Sequence, residues 1–143
     1  MELLRATTTA LRAGAYYVRI QAMARKHRIT LQEEFDEHDT PATMYVVAVD
    51  DYLPVATCRL YPESDRCMML GRIVVLPEYR RQGLGTKVVS EAEAWARELG
   101  YTTAVVESRD NKTAFYESMG YVAAGSQRIV GRTFTCYRME KAL

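Results

Sequence analysis

Cysteine is scarce in this sequence and odd in number: Cys58, Cys67 and Cys136 have neither the even count of a disulfide framework nor the paired spacing of a zinc site. Reduced thiols of an intracellular protein are expected, and no metal. A dominant charge is also missing. Nineteen basic residues against 18 acidic leave a formal charge of +1, so no basic field is available to drive sequence-independent nucleic-acid binding. No run approaches the roughly 18 apolar residues of a membrane span, and residues 1–12 lack the basic start and apolar stretch of a secretion signal. A cytoplasmic protein engaging neither membrane nor nucleic acid is expected. The glycosylation triplet Asn111-Lys112-Thr113 then has no secretory route to serve. Glycine and proline are scattered and form no linker, and there is no repeat, so residues 1–143 are expected to form one domain.

What is present is hydrophobic periodicity. After a short strand near residues 2–6, residues 11–27 place Ala13, Tyr17, Ile20 and Ala24 at helical spacing, with arginines between them. Residues 32–39 are acidic and poorly periodic, a short helix or loop. Two β-rich runs, 43–49 and 53–61, flank the hairpin connection Asp50-Asp51-Tyr52. Residues 66–76 end in Ile73-Val74-Val75-Leu76, an apolar run suited to a strand covered on both faces at the centre of a sheet. Between Gly85 and the stop signal Gly100, Val88, Ala92, Trp95 and Leu99 define an amphipathic helix. A strand at 103–106 follows, then a helix at 113–119 that Asn111 would cap and Gly120 would end. Strands around 121–127 and 133–140 close the chain as a hairpin. This order predicts an α/β domain with a mixed central sheet flanked by helices.

The turn after the central strand carries the first chemical signal. It runs Arg80-Arg81-Gln82-Gly83-Leu84-Gly85 into the long helix. Backbone N–H groups at the positive end of a helix dipole bind phosphate or diphosphate, and two glycines let the ligand come close. Arg80, Arg81 and Lys87 add positive charge. The glycines are too close together for a nucleotide-hydrolase phosphate loop. A dinucleotide fingerprint fails too, because Val88 stands where its third glycine belongs.

The second signal is Asn111-Lys112-Thr113-Ala114-Phe115-Tyr116-Glu117-Ser118-Met119-Gly120-Tyr121, on a helix one short strand further on. Together with the Arg80–Gly85 turn it resembles the GNAT superfamily of N-acetyltransferases, closely over residues 70–121 and in element order elsewhere. Glu34-Phe35-Asp36-Glu37-His38-Asp39 and the run from Gly71 to Arg80 further resemble a branch of small bacterial members. Where that branch usually carries a histidine before the last strand's methionine, this chain has Cys136 ahead of Met139.

The resemblance implies an acetyl-CoA-dependent transfer of an acetyl group to a primary amine of a small molecule, with acetyl-CoA as cosubstrate. It implies that Arg80, Arg81, Gln82, Gly83, Leu84, Gly85 and Thr86 hold the coenzyme A diphosphate. Ile73, Val74 and Val75 would lie along the pantetheine arm, one of their N–H groups facing the thioester oxygen. Asn111 would contact the pantetheine amide or simply cap its helix. Tyr116 would protonate the departing thiolate. The glutamate that some members use as base falls near Met69 here, which leaves Glu107 as a substitute or as a solvated strand-end carboxylate. Glu34, Asp36, His38 and Asp39 would attract a cationic amine or form a wet surface. Arg72 would meet a carboxylate on the acceptor. The last hairpin is a candidate dimer contact. Two other functions fit the same fold: a non-catalytic acyl-CoA-binding regulatory module, and an enzyme acetylating protein amino termini or lysines.

Overall fold

The computed structural model describes residues 1–130 and 135–143. The chain opens with β1 (Glu2–Arg5) and α1 (Thr9–Arg19), whose N-terminus is capped by Thr8. A π-helical turn, Ile20–Ala24, continues α1 into the short α2 (Arg25–His27). Then come α3 (Leu31–Glu34), β2 (Met44–Asp50), β3 (Leu53–Pro62) and β4 (Cys67–Val75). A 3₁₀ turn at Pro77–Tyr79 leads into α4 (Leu84–Glu98), followed by β5 (Thr103–Arg109), α5 (Thr113–Ser118), β6 (Val122–Val130) and β7 (Thr135–Ala142). The expected last strand included Thr133, which lies outside the described residues.

The seven strands of the described residues form one sheet in the order β1-β2-β3-β4-β5-β7-β6, with β4 at its centre as its apolar run implied. Among the described residues only β4 and β5 run parallel, because α4 carries the chain back between them. The mixed sheet flanked by helices is thus present. Side chains alternate across it, as a pleated strand requires. On β2, Tyr45 and Val47 pack with Ala15 beneath α1, while Val46 and Ala48 join the main core with Val88, Val89, Ala92 and Ala96 of α4.

Two departures from regular geometry bear on the site. The π turn follows α1, and its wider winding leaves Ala22, Met23 and Ala24 buried in succession, which a regular helical face would not do. The second is a bulge in β4. Thr57 pairs with Val74 and Arg59 with Gly71, so β4 has one residue more than β3 between these positions. Arg72, inside the bulge, has φ +46°, a left-handed conformation uncommon for a residue with a side chain.

The acidic stretch is not a wet surface. Arg19, wholly buried, donates to Glu34 (2.9 Å) and Asp39 (2.6 Å) and stacks on Phe35. Arg59 reaches Asp36 (2.7 Å) and Asp39 (3.0 Å), and Arg72 bonds Asp36 at 3.2 Å. Three guanidinium groups and three carboxylates therefore neutralise one another between α1, α3 and the sheet. Burial alone would raise the Asp39 carboxyl, but hydrogen bonds from Arg19 and Tyr45 outweigh it and hold it far below the usual carboxylate range.

Candidate active site

The parallel pair β4 and β5 stays together only over Cys67–Thr103 to Leu70–Val106. Beyond Leu70, β4 follows β3 and β5 follows β7, so the two strands part. The parting leaves one edge of residues 71–75 without a strand partner. Burial changes at the same point: Met68, Met69 and Leu70 are buried, whereas residues 71–75 are only partly so. Ile73, Val74 and Val75 therefore differ from the doubly covered run expected of them. One of their flanks is the wall of a cavity of about 1290 Å³ at the carboxyl ends of the parallel strands, where ligands of open α/β sheets bind.

α4 begins at the mouth of this cavity. Gly83 is its N-cap residue at φ +75°, and no side chain caps the helix. The first helical hydrogen bond runs from the Lys87 N–H to the Gly83 carbonyl (3.1 Å), so the N–H groups of Leu84, Gly85 and Thr86 precede the ladder. The first turn contains no acidic side chain to compete for them. Arg81, at φ +64°, and Gly83 are both left-handed, which turns the preceding loop sharply into the helix. Three observations fit a diphosphate with an extended chain attached: an uncapped dipole, flanking arginines and an open strand edge.

The two glycines matter for different reasons. A Cβ at Gly83 would meet nothing within 4 Å, so its φ is what favours glycine. A Cβ at Gly85 would meet Phe115 at 3.5 Å, an ordinary contact, and its φ is not positive. The protein itself therefore tolerates alanine at position 85, but the added methyl would project where a ligand approaches the helix. Gly85→Ala is expected to raise helix stability by up to about 1 kcal/mol and to weaken acetyl-CoA binding about tenfold, as overpacking of ~1–3 kcal/mol implies. Thermal melting and calorimetric titration of the same sample check both signs.

Of the sequence-expected residues, the cavity gathers Arg72, Ile73, Val74, Val75, Arg80, Arg81, Gly83, Leu84, Gly85, Thr86, Glu107, Tyr116 and Glu34 into its wall. Gln82, Asn111 and Asp36 are not part of that wall. Asn111 is exposed and does not cap α5, whose N-cap residue is Lys112 with no side-chain cap bond. Glu34 is buried and bonded to Arg19, and Asp36 is bonded to Arg59 and Arg72. Met69, where some relatives place a base, is buried against the core and carries no proton acceptor of that kind.

Tyr116, on α5, is 9% exposed, with its ring edge-on to Phe115 and Tyr121. Its hydroxyl makes no hydrogen bond among the described residues. Burial pushes its pKa well above the usual tyrosine value, opposed by the nearby Arg109 charge, so the phenol stays protonated. Tyr121, next to it, donates to Glu93 of α4 (2.7 Å), and Lys141 of β7 holds the other carboxylate oxygen (3.0 Å). That triad ties α5's end, α4 and β7 together behind the Tyr116 ring.

Several wall residues escaped the sequence reading: Met23, Lys26 and His27 from the first helical stretch, Arg109 of β5, and Phe115 beside Tyr116; Cys136, which stands where the branch carries a histidine, faces Arg109 from β7 in the same wall. Arg109 had one available signal, its place two residues before the Asn111 motif at the end of the strand. The helical residues had none, because the π turn that brings them round leaves no mark in the apolar periodicity.

A sheet parted at its parallel pair, with a glycine-led helix starting at the parting, is the acyl-CoA N-acyltransferase fold. The Acetyltransferase (GNAT) family model matches residues 7–121. An uncharacterized acetyltransferase of Streptococcus pyogenes is 33% identical over 97 residues, covering 68% of this chain and 66% of that protein. A crystal structure of a candidate N-acetyltransferase from Lactobacillus plantarum is 29% identical and superposes with a TM-score of 0.92 over 99% of this chain and 97% of that one. An aminoglycoside 6'-N-acetyltransferase crystallised with coenzyme A shares the fold at 18% identity, with a TM-score of 0.76 over 99% and 97% of the two chains. This chain belongs to the acetyltransferase (GNAT) family. Among the described residues no helix is long and apolar enough to cross a membrane.

Proposed function

We propose that residues 1–143 act as one domain that transfers the acetyl group of acetyl-CoA to a primary amine of a small molecule, by direct attack in a ternary complex. The observation that carries this reading is the meeting, in one cavity, of the uncapped α4 start, the open edge of residues 73–75 and the protonated Tyr116. Arg80 and Arg81 flank the diphosphate, and the amides of Gly83, Leu84, Gly85 and Thr86 hold it. Gln82 shapes the loop between the two left-handed residues. The three free thiols suit a reducing cytoplasm.

In this mechanism the amine nitrogen bonds to the thioester carbonyl carbon, the carbon–sulfur bond breaks, and the amine proton leaves to solvent or to Glu107. A β4 N–H stabilises the carbonyl oxygen as charge develops on it. Tyr116 hydrogen-bonds the departing sulfur and hands over its proton. Although burial makes the phenol a weaker acid, the same apolar surroundings raise the affinity of the thiolate for a proton. Positioning supplies much of the rate, since a neutral amine held against a thioester needs little further help.

The pH dependence follows from these groups. An alkylammonium must deprotonate first, so kcat/KM should rise with unit slope toward the amine's own pKa of about 10. Tyr116 is a group whose pKa is raised: its acid form persists below that raised value and is lost only above it. No descending limb is therefore expected up to pH 10. A descending limb near pH 8 would remove Tyr116 from the acid role. Release of free thiol from acetyl-CoA against polyamines, amino acids, aminoglycosides and short peptides tests the function as a whole. Small amines should react; reaction with peptides alone would favour a protein acceptor, and binding without turnover a regulatory module.

A further inference from the structure

Cys136 of β7 borders the same cavity as Tyr116, so a protein thiol lies in the space where a bound coenzyme A would place its own. We propose that Cys136 is a modification site: the disulfide form of coenzyme A, seated by its nucleotide in the donor site, exchanges with this thiol and leaves one coenzyme A covalently attached. The inference rests on the donor site proposed above and adds to it a reversible inactivation.

Placement is the first argument. Cys136 lies opposite Arg109 in the antiparallel β5–β7 pair, and directly paired residues project to the same face of a sheet. That face is the α1 side, since Arg109 reaches Met23 of the π turn. Tyr116 lies on the other side, in the core with Leu84 and Val88 of α4. An intact sheet would separate the two residues. Here β4 and β5 part beyond Leu70 and Val106, so both border one space. An arm running along residues 73–75 brings its sulfur to that gap. Tyr116 is an independent sign that a ligand group belongs there: it is 9% exposed, it lines the cavity, and its hydroxyl has no hydrogen-bond partner among the described residues. A buried hydroxyl left so is completed by what enters the cavity.

Reactivity is the second argument. Burial, and then the charge of Glu107, raise the Cys136 pKa, with the Arg109 charge acting the other way. Little thiolate is present near neutral pH, and a disulfide arriving at random meets an almost inert thiol. A disulfide held in the donor site does not depend on chance encounter, because binding replaces collision with a high local concentration. In the exchange Cys136 gives up its proton to solvent, and its sulfur bonds to the sulfur of the seated coenzyme A. The original sulfur–sulfur bond breaks, and the second coenzyme A leaves as a thiolate and takes up a proton. Cys136 is oxidised and the departing coenzyme A is reduced. The cavity continues to Met23 and Thr30, space that the departing half can occupy. The other thiols are placed differently: Cys58 is wholly buried, and Cys67, at the start of β4, is outside the cavity wall. With the adduct in place acetyl-CoA is shut out, and a reducing thiol readmits it.

The test incubates the protein with coenzyme A disulfide, or with glutathione disulfide as a disulfide lacking the nucleotide, and reads intact mass, a peptide map and acetyl-CoA binding by calorimetry. One coenzyme A per chain, on Cys136, is expected to form about 10- to 100-fold faster than the glutathione adduct, as a reactant held in place implies. Acetyl-CoA binding should fall in parallel and return with dithiothreitol, and acetyl-CoA present at saturation should slow the adduct. Cys136→Ser should form no adduct and still bind acetyl-CoA after the same treatment, whereas Cys67→Ser should behave as wild type. No adduct, an adduct mapped to Cys67, or equal rates with the two disulfides would overturn the inference while leaving the donor site intact, provided untreated protein binds acetyl-CoA. Failure of untreated protein to bind it would defeat both.

Discussion

Tyr116→Phe is expected to lower kcat by about 10²- to 10⁴-fold, the range of a positioned proton donor, while leaving acetyl-CoA affinity unchanged. The substitution removes one oxygen and keeps the ring, so the edge-on contacts with Phe115 and Tyr121 survive. Because the hydroxyl bonds no protein group among the described residues, the fold has little to lose. This separates the role from that of Tyr121, whose hydroxyl is bonded to Glu93 and whose loss should lower stability first. The effect should depend on the leaving group: an acyl donor with a more acidic thiol needs less help and should shrink the deficit. Single-turnover thiol release with two such donors measures it, and an unchanged kcat at pH 7 would end the assignment.

Arg19→Met should destabilise the protein by about 3–5 kcal/mol, the cost of breaking a buried ion pair from one side, a large part of the ~5–15 kcal/mol that holds a domain together. Methionine approximately fills the space but leaves Glu34 and Asp39 facing each other, with Arg59 and Arg72 as the remaining cations. The same network sets the response to acid. Asp39 has a depressed pKa in the folded state, so its contribution is complete above the unfolded value of about 3.9 and is lost as pH falls through the lower folded value. Wild-type protein should keep its stability at pH 5 and lose it only below about pH 4. Denaturant titration at pH 7, 5 and 3 on both proteins checks the size and the direction.

The two predictions draw on residues that the sequence revealed unequally. That Tyr116 would share a cavity wall with the turn 80–85 was legible because a short motif fixes its neighbours and its helix, and because the glycines and arginines of the turn follow a strand end. The order of elements followed from periodicity, and β4 fell at the centre of the sheet because its apolar run needed cover. Arg19 was not legible. It sits among other arginines on an amphipathic helix, and nothing local shows that this one is buried; only the folding of residues 34–39 back onto α1 and the sheet does so. Position 72 shows the same limit: its left-handed backbone comes from a mismatch between β3 and β4, which belongs to neither strand alone. Residues 73–75 looked doubly covered because hydrophobicity reports what a segment avoids, water, and not what covers it. One flank of that strand borders the cavity.

The account turns on where the diphosphate sits, and a crystal structure of the protein with acetyl-CoA tests it most directly. Diphosphate oxygens about 2.7–3.2 Å from the N–H groups of residues 83–86, with the pantetheine arm along residues 73–75 and its sulfur beside the Tyr116 hydroxyl, are the predicted result. A nucleotide lodged elsewhere, or an arm lying away from β4, would contradict it.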